Sequence, residues 1–435
     1  MPAASGLFHS DFQARPYWWD AYEPVASEPA DLPHRADVAI IGGGYAGLAC
    51  ALELARQGIG SVVLEAEAPG WGASTRNGGM VSSGASVGRR YSGKDDPARL
   101  ASLRADAGEA FALVERLIAE ESIACDWTRT GTFVAAWCHS HFEALQAKAD
   151  SLNSDPGAKA YLVPRDRQRE EIGSDYYHGG MVVPRAAHLH PAKDFKGLLD
   201  ACLARGVPIC ASATVRRLSR NGAGWTVETA RGNLSVAEIV VATNGYTGDV
   251  TPDLKARVIP VGSYIIATEE LPEDLARGLM PKNRSVYDTR RVLTYYRMAD
   301  GGKRLIFGGR AKFGHFDPVE TAPILHRHMT DRFPQLVGAK ITHAWTGSLA
   351  FTFDEVAHMG QRQGLHFALG CNGSGVAMMT YLGTEIARKL AGANATSAFD
   401  SPDFPGHWAY GGNPWFVPWF GRYLRLRDWL DRGFR

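Results

Sequence analysis

The stretch from Asp37 to Glu65 restricts the fold of this chain more than any other. "DVAII" is a short apolar run rich in β-branched residues. "GGGYAG" follows it. "YAGLACALELARQG" then carries apolar residues at helical spacing and stops at Gly58, and "SVVLE" is a second short apolar run. Strand, glycine turn, helix and strand in this order form a βαβ unit, which favours a parallel sheet. Gly42, Gly44 and Gly47 satisfy the pattern GxGxxG. Glycine is 48 of 435 residues, so the pattern says little without its context. In this context Gly42 permits the tight turn, Gly44 lets a pyrophosphate approach the backbone, and Gly47 lets helix and strand pack closely. Tyr45 and Ala46 open the helix, whose unpaired N–H groups and partial positive charge suit phosphate. Glu65, followed by Ala66, ends the second strand. Its carboxylate can accept hydrogen bonds from a ribose diol and repels an extra 2′-phosphate.

These residues predict a dinucleotide without separating NAD from FAD. A second motif does. Gly70 to Gly79 reads GWGASTRNGG, directly after the acidic strand end. Gly72, Ala73, Ser74, Arg76, Asn77, Gly78 and Gly79, with Met80 behind them, supply backbone donors, a hydroxyl, an amide and one cation in a short loop. That set suits wrapping a pyrophosphate and reaching a flavin ring. A third glycine turn, Gly370-Cys371-Asn372-Gly373-Ser374-Gly375-Val376, again joins a strand ("HFALG") to a helix. A second helix start there would place its dipole beside the pyrimidine side of a flavin, where negative charge builds up on reduction. Thr243 and Asn244 follow another buried strand, "EIVVATNGYTG", and join the expected FAD contacts.

The rest of the chain sets the frame. Hydrophobic residues make up 45% and charged residues 21%, a globular profile, and the net charge of +1 gives no reason to expect nucleic acid. Six cysteines, none in a CxxC pair, predict neither a disulfide framework nor a zinc site. The N-terminus shows no basic start with an apolar run after it, so a cytoplasmic protein without a signal peptide is expected. Residues 97–150 read as helical, 191–205 as a capped helix, and Val258 to Arg310 as several alternating segments of an antiparallel sheet. The expectation is an α/β fold: a Rossmann-type FAD-binding domain with a parallel sheet (37–95, 160–250 and 335–400), interleaved with a mainly antiparallel substrate domain (96–159 and 251–334). An arm (1–36) and a tail (401–435) flank them.

The motifs together resemble the D-amino acid oxidase superfamily of flavoenzymes, in its glycine oxidase, sarcosine oxidase and gamma-glutamylputrescine oxidase branch and nearest the last. "VAIIGGGYAGLACALELARQG", "GWGASTRNGG", "HLHPAK", "ATNGYTGD", "LARGLMPKNRSVYDTRRVLTYYR" and "WTGSLAFTFDEVAHMG" carry the resemblance, from Tyr17 to about Arg432. It implies that Gly42, Gly44, Gly47 and Glu65 bind the ADP half of FAD. It puts Val215, in "ATVRRL", on the adenine side. Ala73, Arg76, Asn77, Gly78 and Gly79 would line the pyrophosphate and ring, and Gly373, Ser374, Gly375 and Val376 would close on the flavin. Three positions depart from the pattern. Cys371 and Ser374 stand where relatives tend to carry Tyr and His, and Met80 replaces a frequent Gln. Sarcosine oxidases attach flavin through a cysteine near the segment that here reads Gly347-Ser348-Leu349-Ala350, so non-covalent FAD is expected. They also keep a lysine by the flavin where Ile306 stands here, which leaves O2 and another electron acceptor both open.

The resemblance implies oxidation of a C–N bond of a small amine or amino acid, by hydride transfer to flavin N5 and hydrolysis of the resulting imine. A cyclic imino acid of pipecolate or proline type is the alternative substrate, and a flavin-binding protein without turnover is the alternative of another class. Substrate-side candidates are Tyr264, Tyr295, Tyr296, Arg297, Arg310 and Trp345: aromatics to cage an amine, and an arginine to hold a carboxylate with two parallel hydrogen bonds. His188 and His190 are weaker candidates. The tail has Trp415, Phe416, Trp419, Phe420, Tyr423 and Trp429 among Arg422, Arg425 and Arg427. It reads either as a helix packed on its own domain or as a membrane or partner contact.

Overall fold

The structure is a computed structural model, and it describes residues 6–25, 30–84, 87, 96–153, 157–314, 316–394, 396–401 and 404–433. The expected boundary near residue 95 lies outside these, as do residues 1–5 and 26–29 of the arm.

The βαβ unit forms as read. Strand Arg35–Ile41 leads through Gly42–Gly44 into helix Tyr45–Arg56 and then strand Ser61–Leu64. Both strands join an eight-stranded sheet in the order Val215–Asn221, Gly224–Thr229, Gly232–Val241, Arg35–Ile41, Ser61–Leu64, Ile209–Cys210. Its central pairings are parallel, with Ile40 opposite Val240 and Val63 opposite Ile209. Strand Leu365–Leu369 adds in parallel beside Val240 and Val241, and His358–Arg362 pairs antiparallel with it as the eighth strand. The inner segments of the central strands, Val38–Ile40, Val62–Leu64 and Ile239–Val241, are apolar and buried, as parallel strands covered on both faces require. A nine-stranded sheet forms the second layer. Its middle is the antiparallel run Ile341–Phe351, Ile259–Thr268, Arg304–Gly309, Thr294–Ala299 and Ser285–Asp288. The α/β fold with one largely parallel and one largely antiparallel sheet is therefore present.

The chain crosses between the layers more often than the sequence division allowed. Helix Pro97–Glu120, expected on the substrate side, turns Leu103, Ala107, Phe111, Val114 and Leu117 into the core of the parallel sheet and packs on helix Gly375–Leu390. Strands Tyr161–Val163 and Gly180–Val183, expected with the FAD-binding domain, lie in the nine-stranded sheet. So does Ile341–Phe351, paired with Ile259–Thr268 along nearly its whole length. Helical spacing alone does not say which core a helix covers, and alternation does not say which sheet a strand joins. Residues 97–150 also do not stay helical: Thr132–Ala135 is a strand, signalled by its β-branched and aromatic "TFV".

The arm carries regular structure. Phe8–Gln13 is an edge strand on Ile341–Phe351, and Tyr17–Asp20 is a short 3-10 turn. Among the described residues no helix is long and apolar enough to cross a membrane, and no cluster of metal-ligating side chains occurs. All six cysteines are free and buried.

Candidate active site

A cavity of about 490 Å³ runs between the two sheets. At one end lie Glu65, Ala66 and Val215. In its middle it passes two glycine turns, Gly42–Ala46 and Gly373–Val376, and the loop Gly70–Gly78. At the other end lie Thr132, Ser263, Tyr287, Arg291, Tyr295, Arg310 and Glu355.

Backbone chemistry builds the part of the cavity lined by Glu65 and the glycine turns. Gly42 takes φ +105°, a left-handed value that lets the strand end turn into the helix. A Cβ on Gly47 would stand 1.9 Å from the Gly42 carbonyl oxygen, so only glycine lets the helix seat this close. The Glu65 carboxylate is held by N–H groups of Gly43 (2.8 Å) and Glu67 (3.0 Å). Burial raises its pKa, and these backbone donors oppose that rise. Ser74 Oγ accepts the first helical N–H, from Tyr45, at 3.0 Å.

The loop after Glu65 is braced from three sides. Asn77 closes it on itself, donating to the Ser74 carbonyl and accepting from Gly79 N–H. The arm clamps it from outside: Trp18 Nε1 donates to the Asn77 carbonyl and Trp19 Nε1 to Thr75 Oγ1, both at 2.8 Å. From the nine-stranded sheet, Trp345 Nε1 donates to the Arg76 carbonyl at 2.8 Å. The Arg76 guanidinium lies over the rings of Trp19 and Trp71 at 4.6 and 4.8 Å and donates to the Trp71 and Thr346 carbonyls. Burial lowers its pKa, and no carboxylate pairs with it among the described residues. The late turn is braced in the same way. Asn244 Oδ1 accepts from the N–H groups of Gly370 and Cys371, and Asn372 accepts from Thr352 N–H.

Most expected cofactor residues line the cavity: Gly42, Gly44, Tyr45, Ala46, Glu65, Ala66, Gly72, Ala73, Ser74, Arg76, Asn77, Gly78, Met80, Val215, Thr243, Asn244, Gly373, Ser374, Gly375 and Val376. Gly47, Gly79 and Gly370 do not. Gly47 sits beneath the helix start, Gly79 is packed on the Leu189 carbonyl and Arg297, and Gly370 on Thr352.

The substrate-side candidates divide by strand parity, because neighbouring side chains point to opposite faces. Tyr295 and Arg310 line the cavity, whereas Tyr296 does not: it stacks on Phe307 (centroids 5.3 Å apart) and donates to Tyr177 in the far core. Tyr264 likewise faces away between Ser263 and Ile265, its hydroxyl donating to the Gly314 carbonyl. Trp345 lies behind the cavity as the prop under Arg76. Arg297 is another prop. Fully buried, it donates to the carbonyls of Gly78 (2.6 Å) and Leu189 (2.6 Å), and burial drives its pKa down to about 9. His188 and His190 are outside the cavity lining, held neutral by burial at about 3 and about 4. Ile306 is buried against Trp18 and Trp345. Sequence reading missed Thr132, Ser263, Tyr287, Arg291 and Glu355, which no local motif marks; strand pairing brings Thr132, Ser263 and Tyr287 together, and turns at strand ends add Arg291 and Glu355.

A cavity lined by a buried carboxylate, two helix starts and several aromatic side chains suits a dinucleotide. Cβ atoms on Gly43 and Gly44 would meet Glu65 Oε2 at 3.1 Å and Ser74 Oγ at 3.0 Å, so the cradle is kept open by glycine. Glu65 would hold a ribose, the helix starts a pyrophosphate, and the Arg76–Gly78 loop with the late turn a flavin ring. These features define a dinucleotide-dependent oxidoreductase. The model of the DAO family, FAD dependent oxidoreductase, matches residues 37–389, and the chain belongs to that family, with FAD as its cofactor. It is 33% identical to the gamma-glutamylputrescine oxidoreductase of Escherichia coli (strain K12) over 405 residues, 91% of this chain and 93% of that protein. It is 24% identical to the glycine oxidase of Geobacillus kaustophilus (strain HTA426) over 399 residues, 86% of this chain and 97% of that one. The crystal structure of glycine oxidase from Geobacillus kaustophilus superposes with a TM-score of 0.72 at 20% identity, covering 87% of this chain and all of that one. L-proline dehydrogenase from P. horikoshii gives 0.69 at 18% identity, covering 90% and 99%.

Proposed function

We propose that this FAD-dependent enzyme oxidises the C–N bond of a small amine or amino acid that carries a carboxylate away from the reacting carbon, as gamma-glutamylputrescine does. The observation that carries this reading is the far end of the cavity, where Arg310 and Glu355 line one space with Tyr287 and Tyr295, beside Arg291, whose guanidinium is held by Asp428 and Asp431. Charges of both signs beside aromatic rings suit a zwitterionic substrate. An arginine offers a carboxylate two parallel hydrogen bonds, a glutamate holds an ammonium, and ring faces guide the alkyl chain. The chemistry supplied by bound FAD is hydride acceptance at ring N5, which turns the C–N bond of a neutral amine into an imine for water to hydrolyse. Tyr295, whose pKa burial pushes up to about 12, stays a neutral donor paired with Ser263 at 2.9 Å. It can orient a substrate oxygen or nitrogen without adding charge. Cys371 and Ser374, smaller than the Tyr and His of relatives, line the cavity and leave room for an extended substrate.

The test is anaerobic mixing of FAD-loaded protein with gamma-glutamylputrescine, putrescine, N-methylglycine, glycine, proline and pipecolate. Bleaching of the visible flavin band by gamma-glutamylputrescine supports the reading. Bleaching by proline or pipecolate alone would replace it with a cyclic imino acid enzyme, and bleaching by none would mark a flavin protein without turnover. Attachment is proposed to be non-covalent: Cys371, at the late turn, gives its thiol hydrogen to the Ala350 carbonyl. Acid precipitation should leave the yellow colour in the supernatant, and a yellow pellet would refute this.

A further inference from the structure

The tail forms a helix, Val417–Asp431, that turns its apolar side to solvent. Only Val417, Gly421, Leu424 and Asp428 are buried, a single narrow stripe. This stripe fixes the helix firmly. A Cβ on Gly421 would stand 2.2 Å from the Phe313 ring, and Asp428 accepts from the backbone N–H groups of Arg291 and Val292, both at 2.9 Å. At 100° per residue, Trp419, Leu426 and Leu430 fall on the opposite pole, with Tyr423 and Trp429 beside them. All five are exposed; Trp419 is 66% accessible and Leu426 53%. Trp415, on the approach to the helix, is 63% exposed.

The charges are sorted as well. Both acids of the helix are engaged by the body of the protein: Asp428 with Arg291, and Asp431 with Arg291 and with His141 at 3.4 Å. The exposed charges that remain on the helix and its end are Arg422, Arg425, Arg427 and Arg432, all basic. Arg422 lies over Trp419 at 4.9 Å, and Arg427 donates to Tyr423 at 2.9 Å, so the cations flank the apolar pole. Arg422 and Arg427, paired with no acid among the described residues, thus share a face with the exposed aromatic side chains, while Arg425 and Arg432 turn to the body over Phe313 and over Trp137.

We propose that this face docks on an anionic lipid surface, with Trp419, Leu426 and Leu430 entering the headgroup layer and Arg422 and Arg427 pairing with lipid phosphates. Tryptophan and tyrosine favour that layer, and each arginine near a negatively charged bilayer adds to the attraction. The helix also touches the rim of the cavity, since Arg425 donates to the Ala311 carbonyl at 2.6 Å and Asp428 holds the backbone at Arg291. Docking would set the substrate end of the cavity close to the lipid.

Flotation of the full-length, FAD-loaded protein tests this. Vesicles of phosphatidylcholine with phosphatidylglycerol should carry the protein upward, and phosphatidylcholine alone should bind it at least about tenfold more weakly. R422E/R427E and W419S/L426S should each weaken binding to the anionic vesicles at least about tenfold, with flavin content unchanged as the control for folding. No flotation with anionic vesicles, or equal binding of both variants, overturns the proposal. So does light scattering that shows a dimer which W419S/L426S converts to monomer, because the face would then be covered by a second copy.

Discussion

The two ends of the cavity are built by different means. At the cofactor end the wall is main chain: two glycine turns, two helix starts and one carboxylate held by backbone N–H groups. At the proposed substrate end the wall is mostly side chains, brought from strands and turns scattered between Thr132 and Glu355. The contrast shows what each end can tolerate. A backbone cradle fails when any atom is added to it, whereas a side-chain wall can change its contents and keep its shape.

Three substitutions break or sharpen this contrast. The largest effect is expected from Gly47→Val. Its Cβ would overlap the Gly42 carbonyl oxygen, so the helix must move and FAD retention through purification should be lost, read as the ratio of flavin to protein absorbance. Retention of full flavin by this variant would show that the cradle is not set by backbone approach. Next, Arg310→Met should leave flavin content unchanged and raise KM for a carboxylate-bearing amine about 100-fold, the order expected when a charged hydrogen-bonding partner is removed. A simultaneous loss of flavin would mean that the two ends are not separable.

The smallest effect marks an exception at the cofactor end. Asp194 is buried beside Tyr45, and burial raises its pKa to about 7, opposed by the Tyr45 hydrogen bond. A carboxyl whose folded-state pKa is raised contributes stability that is complete below its unfolded value and is lost as pH rises through about 7. The wild-type melting temperature should therefore fall from about pH 4 to about 7 and level off above it. Asp194→Asn, which carries no charge to bury, should flatten that slope and gain about 1–2 kcal/mol at pH 8. An unchanged slope would show that Asp194 is ionised in the folded protein throughout.

The same contrast explains what could be read from the sequence. Gly42, Glu65, Arg76 and Ser374 announce themselves because backbone-approach motifs are contiguous, and their glycines are required by local geometry. The fold class follows from the same segments. Tyr296 and Tyr264 misled because residue type was legible and strand face was not: one step in parity separates Tyr295 in the cavity from Tyr296 in the core. Thr132 and Glu355 were invisible for a related reason: Thr132 reaches the site through strand pairing with Ser285, and Glu355 through a turn that follows strand Ile341–Phe351. The tryptophans of the arm carried no motif, yet Trp18 and Trp19 hold the Gly70–Gly79 loop.

The interleaving of the two layers has a consequence for how this protein is made. Ile40 waits for Val240 as its neighbour, and the helix that starts at Tyr45 crosses Gly383, where a Cβ would stand 2.1 Å from the Ala46 carbonyl oxygen. During synthesis the early βαβ unit therefore leaves the ribosome with an apolar strand edge unpaired, a template for wrong association until the later strands arrive. The nucleotide crevice does not exist in the nascent chain, and flavin capture belongs to the finished polypeptide.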